Sequence, residues 1–136
     1  MASEPQGQEA AYEPRVAKLL GIKSGVSKDG VGSATMLIRD DHLQDAGAVQ
    51  GGLIVSLADH ALYLAAKSRL RPGQASTTVE LKVNFTAPAK DGELTATARV
   101  LSAGRRIIVA EVSVINDRQV LIAQGLGTTL VLENEP

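Results

Sequence analysis

The sequence predicts an α+β fold in which an antiparallel, curved sheet wraps around one long, buried helix. Two observations carry this expectation. The stretch from Gly51 to about Ser68 has a helical period yet is apolar around most of its circumference, and such a helix is normally buried. One strand-like segment precedes it and four follow, the later ones joined by short turns. That order suits an antiparallel meander packed on a helix. The first strand and the last four share one sheet only if the helix crosses between them.

Each element has its own local reason. Residues 1–12 are small, polar and acidic and are expected to form a flexible tail ahead of a single domain over 13–136. Pro14 opens a short helix over Arg15 to Leu20, and Gly21 closes it. Ser33 to Arg39 reads as a strand, followed by DDHLQDAGAVQGG, a polar, glycine-containing loop. Arg71, Pro72 and Gly73 end the long helix. From Ala75 to Phe85, Val79, Leu81, Val83 and Phe85 alternate with Thr78, Glu80, Lys82 and Asn84, the period-two signature of a half-buried strand. Pro88 and Asp91-Gly92 mark a turn before a strand over Glu93 to Leu101, and Ala103-Gly104 makes a hairpin turn. Arg106 to Ile115 and Gln119 to Val131 form a last hairpin across Asn116-Asp117. Gly125 and Gly127 mark a bulge or a close backbone approach in its second strand.

Composition narrows the function classes. A chain of 136 residues is one domain, and folding removes roughly two thirds of its extended surface from water. Apolar residues make up 44% but aromatic ones only 2%, so the core is built from Ala, Val, Leu and Ile. No stacking platform for single-stranded nucleic acid is available. Fourteen basic against fifteen acidic residues leave a net charge of -1, which argues against a general polyanion binder. Without cysteine there is no disulfide, thiolate nucleophile or Cys-ligated zinc. The polar, acidic start is the opposite of a signal peptide, and no uncharged apolar run approaches the ~18 residues of a membrane span. The expectation is a soluble, cytoplasmic domain with neither nucleic acid nor membrane as partner.

The exceptions inside the apolar helix carry the chemistry. Ser56, Asp59, His60, Tyr63 and Lys67 form one narrow polar stripe at three- and four-residue spacing. Two readings stand: a solvated face, which is the commoner case, or a site. Gly51-Gly52 starts the helix, where unpaired N–H groups and the positive dipole end point outward and can polarise a carbonyl. Asp59 sits among apolar neighbours, the usual setting of a general base or nucleophile. The two are eight residues apart, hence ~12 Å along a straight helix. Reacting atoms must approach within roughly 3 to 3.5 Å, so one carbonyl cannot touch both. If both act on one substrate, they come from two protomers, and the site requires a dimer. His42 and His60 have no metal-ligand spacing and read as loop or surface histidines. Tyr63 reads as helix packing or as pocket lining.

The stretch HLQDAGAVQGGLIVSLADHALYLAAKS resembles the hotdog-fold acyl-CoA thioesterases, especially the phenylacetate-degradation type. Gln44 matches the family's amide position, Gly51-Gly52 its glycines and Asp59 its acidic residue. FTAPAKDGE, the SAGRR turn and the closing AQGLGTTLVL also resemble the family, so the likeness covers roughly residues 34–132. One position departs from it: Gln50 stands where the family commonly has His before the glycines. Glutamine still donates and accepts hydrogen bonds but carries no proton charge.

The resemblance implies hydrolysis of an acyl-CoA to free acid and CoA. Asp59 would activate water or attack the thioester, and the Gly51 N–H of the partner subunit would bind the oxyanion. Gln44 would hold the thioester or the water. Thr78 aligns with a hydroxyl position that helps place water, although an ordinary strand threonine explains it equally well. Gly52 and Tyr63 would contact substrate, and Arg105 and Arg106 the phosphates of CoA, with Arg69 and Arg71 weaker candidates. No metal or cofactor is implied beyond CoA as part of the substrate. The expected assembly is a homodimer that pairs further into a tetramer. Two alternatives stay open: hydration or dehydration of acyl thioesters, which usually needs a catalytic His, and non-catalytic binding of acyl-CoA or another small ligand, which Gln50 allows.

Overall fold

A computed structural model describes residues 13–133; the expected tail over 1–12 lies outside the described residues. The elements run α1 (Arg15–Leu20), β1 (Ile22–Lys28), β2 (Val31–Leu37), a 3-10 turn (Asp40–His42), α2 (Gly51–Lys67), β3 (Gln74–Phe85), β4 (Glu93–Ala103), β5 (Ile107–Ile115) and β6 (Leu121–Glu133). All strands join one antiparallel sheet in the order β1-β2-β4-β5-β6-β3. The crossing of α2 from β2 to β3 carries the chain from one half of the sheet to its far edge, as the element order requires.

The helix lies in the concave face of the sheet. Leu57, Ala58, Ala61, Leu62, Ala65 and Ala66 are completely buried, which accounts for the all-round apolar pattern. Small residues on the sheet let it sit close. A Cβ on Gly32 in β2 would run into the backbone of Ala61 and Ala65, and one on Gly127 in β6 would fall 2.5 Å from Leu62 Cδ2. Gly127 therefore marks a close approach. The same scarcity of bulk explains how a core almost free of aromatic residues fills its volume.

The sheet has six strands where five are expected. β1 escapes the sequence pattern because IKSGVSK holds only Ile22 and Val26 as large apolar residues. A bulge between Ser24 and Ser27 also breaks its alternation. The extra residue brings Ser24 and Ser27, three apart, to the same side of the strand. Both meet α2: Ser27 Oγ donates to Leu64 O at 2.7 Å, and Ser24 Oγ lies 2.7 Å from His60 Nε2. Those helix residues are one turn apart, so the bulge matches the strand to the helical repeat.

β3 corrects the second expectation. The simple alternation predicts Val79 inward and Thr78 outward, but β3 shifts register between Thr78 and Glu80. Before the shift Ser76 and Thr78 turn toward the helix; after it Leu81 and Val83 do. Val79 is left 55% exposed and Phe85 53% exposed. Smaller corrections concern boundaries. The predicted strand from Ser33 starts at Val31 and ends at Leu37, and the last strand starts at Leu121. There the buried Asn116 accepts the Arg118 and Val120 N–H groups, while Gln119 takes φ 64°. The predicted helix from Arg15 to Leu20 is found with those bounds, and Gly21 ends it in the left-handed region at φ 78°.

Gly32→Ala is expected to destabilise the protein by about 3 kcal/mol, the upper part of the usual overpacking range, because helix backbone cannot yield as a side chain does. Urea unfolding at fixed protein concentration measures it. A loss below roughly 0.5 kcal/mol, the size of an indifferent surface change, would mean that the helix is not seated on Gly32.

Candidate active site

A cavity of about 520 Å³ opens along the polar stripe of α2. Ser56, Asp59, His60 and Tyr63 line it from the helix, Ser76, Thr77 and Thr78 from β3, and Pro14, Val16, Ala17, Leu20 and Ile22 from the N-terminal segment. The stripe is thus no plain solvated face. α1 and the start of β1 cover one flank and β3 the other, leaving a cleft with an apolar wall facing a polar one.

Asp59 stands in the polar wall. Thr78 Oγ1 donates to its Oδ1 at 2.8 Å, a contact made possible by the register shift that turns Thr78 inward. One carboxylate oxygen is held in place, and the hydrogen bond fixes the group's orientation in the cleft. Tyr63 follows one turn later, with Lys67 Nζ 6.0 Å from its ring centre.

Neither histidine is a surface residue. His42 is only 2% exposed; its Nδ1 accepts the Arg39 N–H at 3.0 Å, and its Nε2 lies 2.8 Å from Leu20 O. With Nδ1 accepting, Nε2 carries a proton and donates to Leu20 O, which ties the loop before α2 to the end of α1. His60 lies on α2 with its side chain 8% exposed. Burial lowers its pKa below the ordinary imidazole value, against the opposing pull of the Glu13 and Asp59 charges, so the ring is neutral at pH 7. Its Nε2 lies 2.7 Å from Ser24 Oγ and 3.8 Å from Glu13 Oε2. Sequence reasoning missed Glu13 and Ser24 entirely, since nothing in the pattern announces β1.

The other predicted residues lie elsewhere. Gly51 is the first residue of α2, with Gln50 as N-cap making no side-chain cap bond; in the first turn the Leu53 N–H bonds Gln50 O at 2.9 Å, and the Gln50 side chain caps neither Gly51 nor Gly52. The Gln50 side chain folds over Gly52, whose added Cβ would be 2.8 Å from Gln50 Oε1. Gln44 is exposed in the loop, and its Oε1 accepts the Ala46 N–H at 2.6 Å; what it offers a ligand is its Nε2 donor. None of Gln44, Gln50, Gly51 and Gly52 lines the Asp59 cavity. Arg105 lines a separate cleft of about 500 Å³ with Arg69, Arg71 and Gln74. Arg106 joins Arg105 in the neighbouring one. Among the described residues no cluster of three His, Cys, Asp or Glu side chains could hold a metal. No described helix is long and apolar enough to cross a membrane.

Residues 46–123 match the thioesterase superfamily. The acyl-coenzyme A thioesterase PaaI of Escherichia coli is 32% identical over 124 residues, covering 90% of this chain and 86% of that protein. A putative esterase of Saccharolobus solfataricus is 28% identical over 131 residues, 96% of this chain and 87% of the relative. Among solved structures, a conserved protein from Pseudomonas aeruginosa aligns with a TM-score of 0.85 at 31% identity, over 95% of this chain and all of that one. The resemblance read from the sequence is thereby borne out, and so is the curved antiparallel sheet around a helix: the chain belongs to the thioesterase superfamily and has the hotdog fold.

Proposed function

We propose that the protein hydrolyses an acyl-CoA thioester to the free acid and CoA, in a site shared between two copies of the chain. The observation that carries this reading is the Asp59 carboxylate, oriented by Thr78 in a cleft whose opposite wall is apolar. Asp59 takes a proton from water as the water oxygen attacks the thioester carbon. The carbonyl electrons move onto oxygen, where a backbone N–H stabilises the negative charge. Collapse of this intermediate breaks the C–S bond, and the CoA thiolate recovers the proton from Asp59. Direct attack by Asp59, with hydrolysis of the resulting anhydride, reaches the same products.

The oxyanion donor in this scheme is the Gly51 N–H of a second copy. Gly51 and Asp59 lie on one helix, ~12 Å apart, so no single copy brings both to one carbonyl. β3, at the end of the sheet, offers the pairing edge: an unpartnered strand is a ready template for a second chain, and Val79 and Phe85 are exposed along it. Gln44 and Gln50, beside Gly51, would hold the thioester from the same side. The acyl group lies against Tyr63 and the apolar wall. The arginine cleft receives the CoA phosphates: its Gln74 is two residues before Ser76 in the Asp59 cavity, ~7 Å along the strand.

A panel of acyl-CoA substrates, with released thiol as the readout, tests the activity. Saturable binding without CoA release would instead identify a non-catalytic acyl-CoA binder, the alternative that Gln50 favours. Asp59→Asn is nearly isosteric, and its amide oxygen still accepts from Thr78. Turnover is expected to fall at least ~10²-fold with the fold retained; unchanged turnover would remove Asp59 from the reaction.

Gly51→Pro deletes the proposed oxyanion donor with little cost to the helix. The first helical position tolerates proline, and Gln50 already has the extended φ -61°, ψ 131° that precedes one. The Phe85 ring must give way slightly, since its Cζ would lie 3.1 Å from a Cβ at this position. A loss of ~10²- to 10³-fold in kcat is expected. Mixing this variant with Asp59→Asn, under conditions of subunit exchange, restores one intact site in each mixed pair, or about a quarter of wild-type activity in an isologous dimer. No recovery in verified mixed dimers would show that the site is not shared.

Gln50→His is expected to change kcat/KM by less than ~10-fold, under ~1.4 kcal/mol. A wild type inert on the whole panel, beside a strongly active Gln50→His variant, would mean that the natural site is non-catalytic.

A further inference from the structure

We infer that Glu13, Ser24 and His60 form a clamp that fixes α1 across the cavity, and that α1 so held sets the selectivity of the site for apolar acyl groups. The selectivity rests on the thioesterase reading; the clamp does not.

A helix of six residues is far below the length at which helices are stable alone, so α1 depends on what ties it down. Its apolar anchoring is slight. Ala17 is buried and Leu20 partly so, but Val16 is 60% and Leu19 72% exposed. Polar ties hold both ends instead. At the C-terminal end, His42 bonds Leu20 O, and Arg39 Nη2 donates to Leu19 O at 3.1 Å.

At the N-terminal end, Glu13 Oε1 accepts the Ser24 N–H at 2.7 Å, and Oε2 accepts the Ser24 hydroxyl at 3.2 Å. With its own proton on Glu13, Ser24 Oγ accepts from His60 Nε2–H at 2.7 Å. The chain of bonds runs from α2 through β1 to the residue before Pro14. Both of its ends are sheltered, His60 8% and Glu13 16% exposed, where hydrogen bonds to a charged group are strong.

What the clamp holds is the apolar wall. Val16, Leu20 and Ile22 face the cavity across from Asp59 and Thr78, so the position of α1 sets its width. His60 and Ser24 are positioning residues here: neither is placed at the reacting atoms. Each methylene packed on a fixed wall is worth up to roughly fourfold in kcat/KM. Once α1 swings free, that increment shrinks, while the chemistry at Asp59 continues.

The test uses the full chain with Ser24→Ala, which removes the central hydroxyl, and Ser24→Thr, which keeps it. For wild type, kcat/KM is expected to rise steeply from acetyl- to octanoyl-CoA. In Ser24→Ala the rise flattens at least ~10-fold overall, mainly through KM, with acetyl-CoA turnover nearly unchanged; Ser24→Thr restores the slope. In parallel, hydrogen exchange follows the Lys18 amide, which bonds Pro14 O at 3.1 Å. It is expected to accelerate ~10-fold or more in Ser24→Ala while the α2 amides hold. Unchanged exchange in Ser24→Ala overturns the clamp. Faster exchange with an unaltered acyl slope overturns its role in selectivity. A wild type inert on every acyl-CoA overturns the thioesterase reading and the selectivity with it, leaving exchange to decide the clamp.

Discussion

The seating of α2 in the concave face of the sheet is the constraint on which everything else depends. A single-layer sheet can enclose a helix only if the two pack closely, and this chain achieves that with Gly32 against the helix backbone, Gly127 against the Leu62 side chain, and Ala58, Ala61 and Ala65 on the helix. Enclosure makes the helix apolar on most sides. It also makes any polar residue on it costly unless that residue finds a partner. The stripe from Ser56 to Lys67 is where enclosure is incomplete, and the cavity is the gap between the sheet's edge strand β3 and the small cover made by α1 and β1.

The partners of Asp59 and His60 come from two irregularities of the sheet. In β1 the bulge turns both Ser24 and Ser27 toward α2. In β3 the register shift turns Thr78 toward Asp59 and sends Val79 out to the edge. A regular strand would present one residue of each odd-spaced pair to the wrong face. The two irregularities therefore supply partners to Asp59 and His60 and shape the site in one step. The shift in β3 also links the two halves of the proposal: the change that orients Asp59 leaves an apolar side chain at the edge where a second copy would pair.

This explains which features were legible in the sequence. The long helix was, because its periodicity and its all-round apolar character are properties of the residues themselves. Asp59 stood out for the same reason, as a carboxylate in an apolar run. Gly127 was legible as a bulge or a close backbone approach; what it accommodates is the Leu62 side chain. β1 was hidden because, Ile22 apart, it meets the helix with two serine hydroxyls rather than apolar alternation. Thr78 was placed on the outer face by that alternation, and only family likeness pointed to it. His60 was misjudged because its shelter comes from α1 and β1, elements distant in sequence. A pattern read along the chain reports a residue's own face but not what folds over it.

The proposed chemistry divides its labour between two parts of the helix. Its N-terminal amides and its mid-helix carboxylate are the two groups an acyl transfer needs, a donor for the oxyanion and a base or nucleophile. Both are rigidly fixed, yet at ~12 Å they are too far apart to share a carbonyl. Bending the helix would bring them no closer without breaking the packing against Gly32. In the proposed dimer two-fold symmetry would remove the conflict, since an isologous contact would set the start of one helix against the middle of another and do so twice. On that view the exposed edge of β3, with Val79 and Phe85 along it, is part of the catalytic design rather than a defect of an isolated chain. Phe85 lies against Gly51, so the edge that would join two copies also touches the amide that would serve the partner's Asp59.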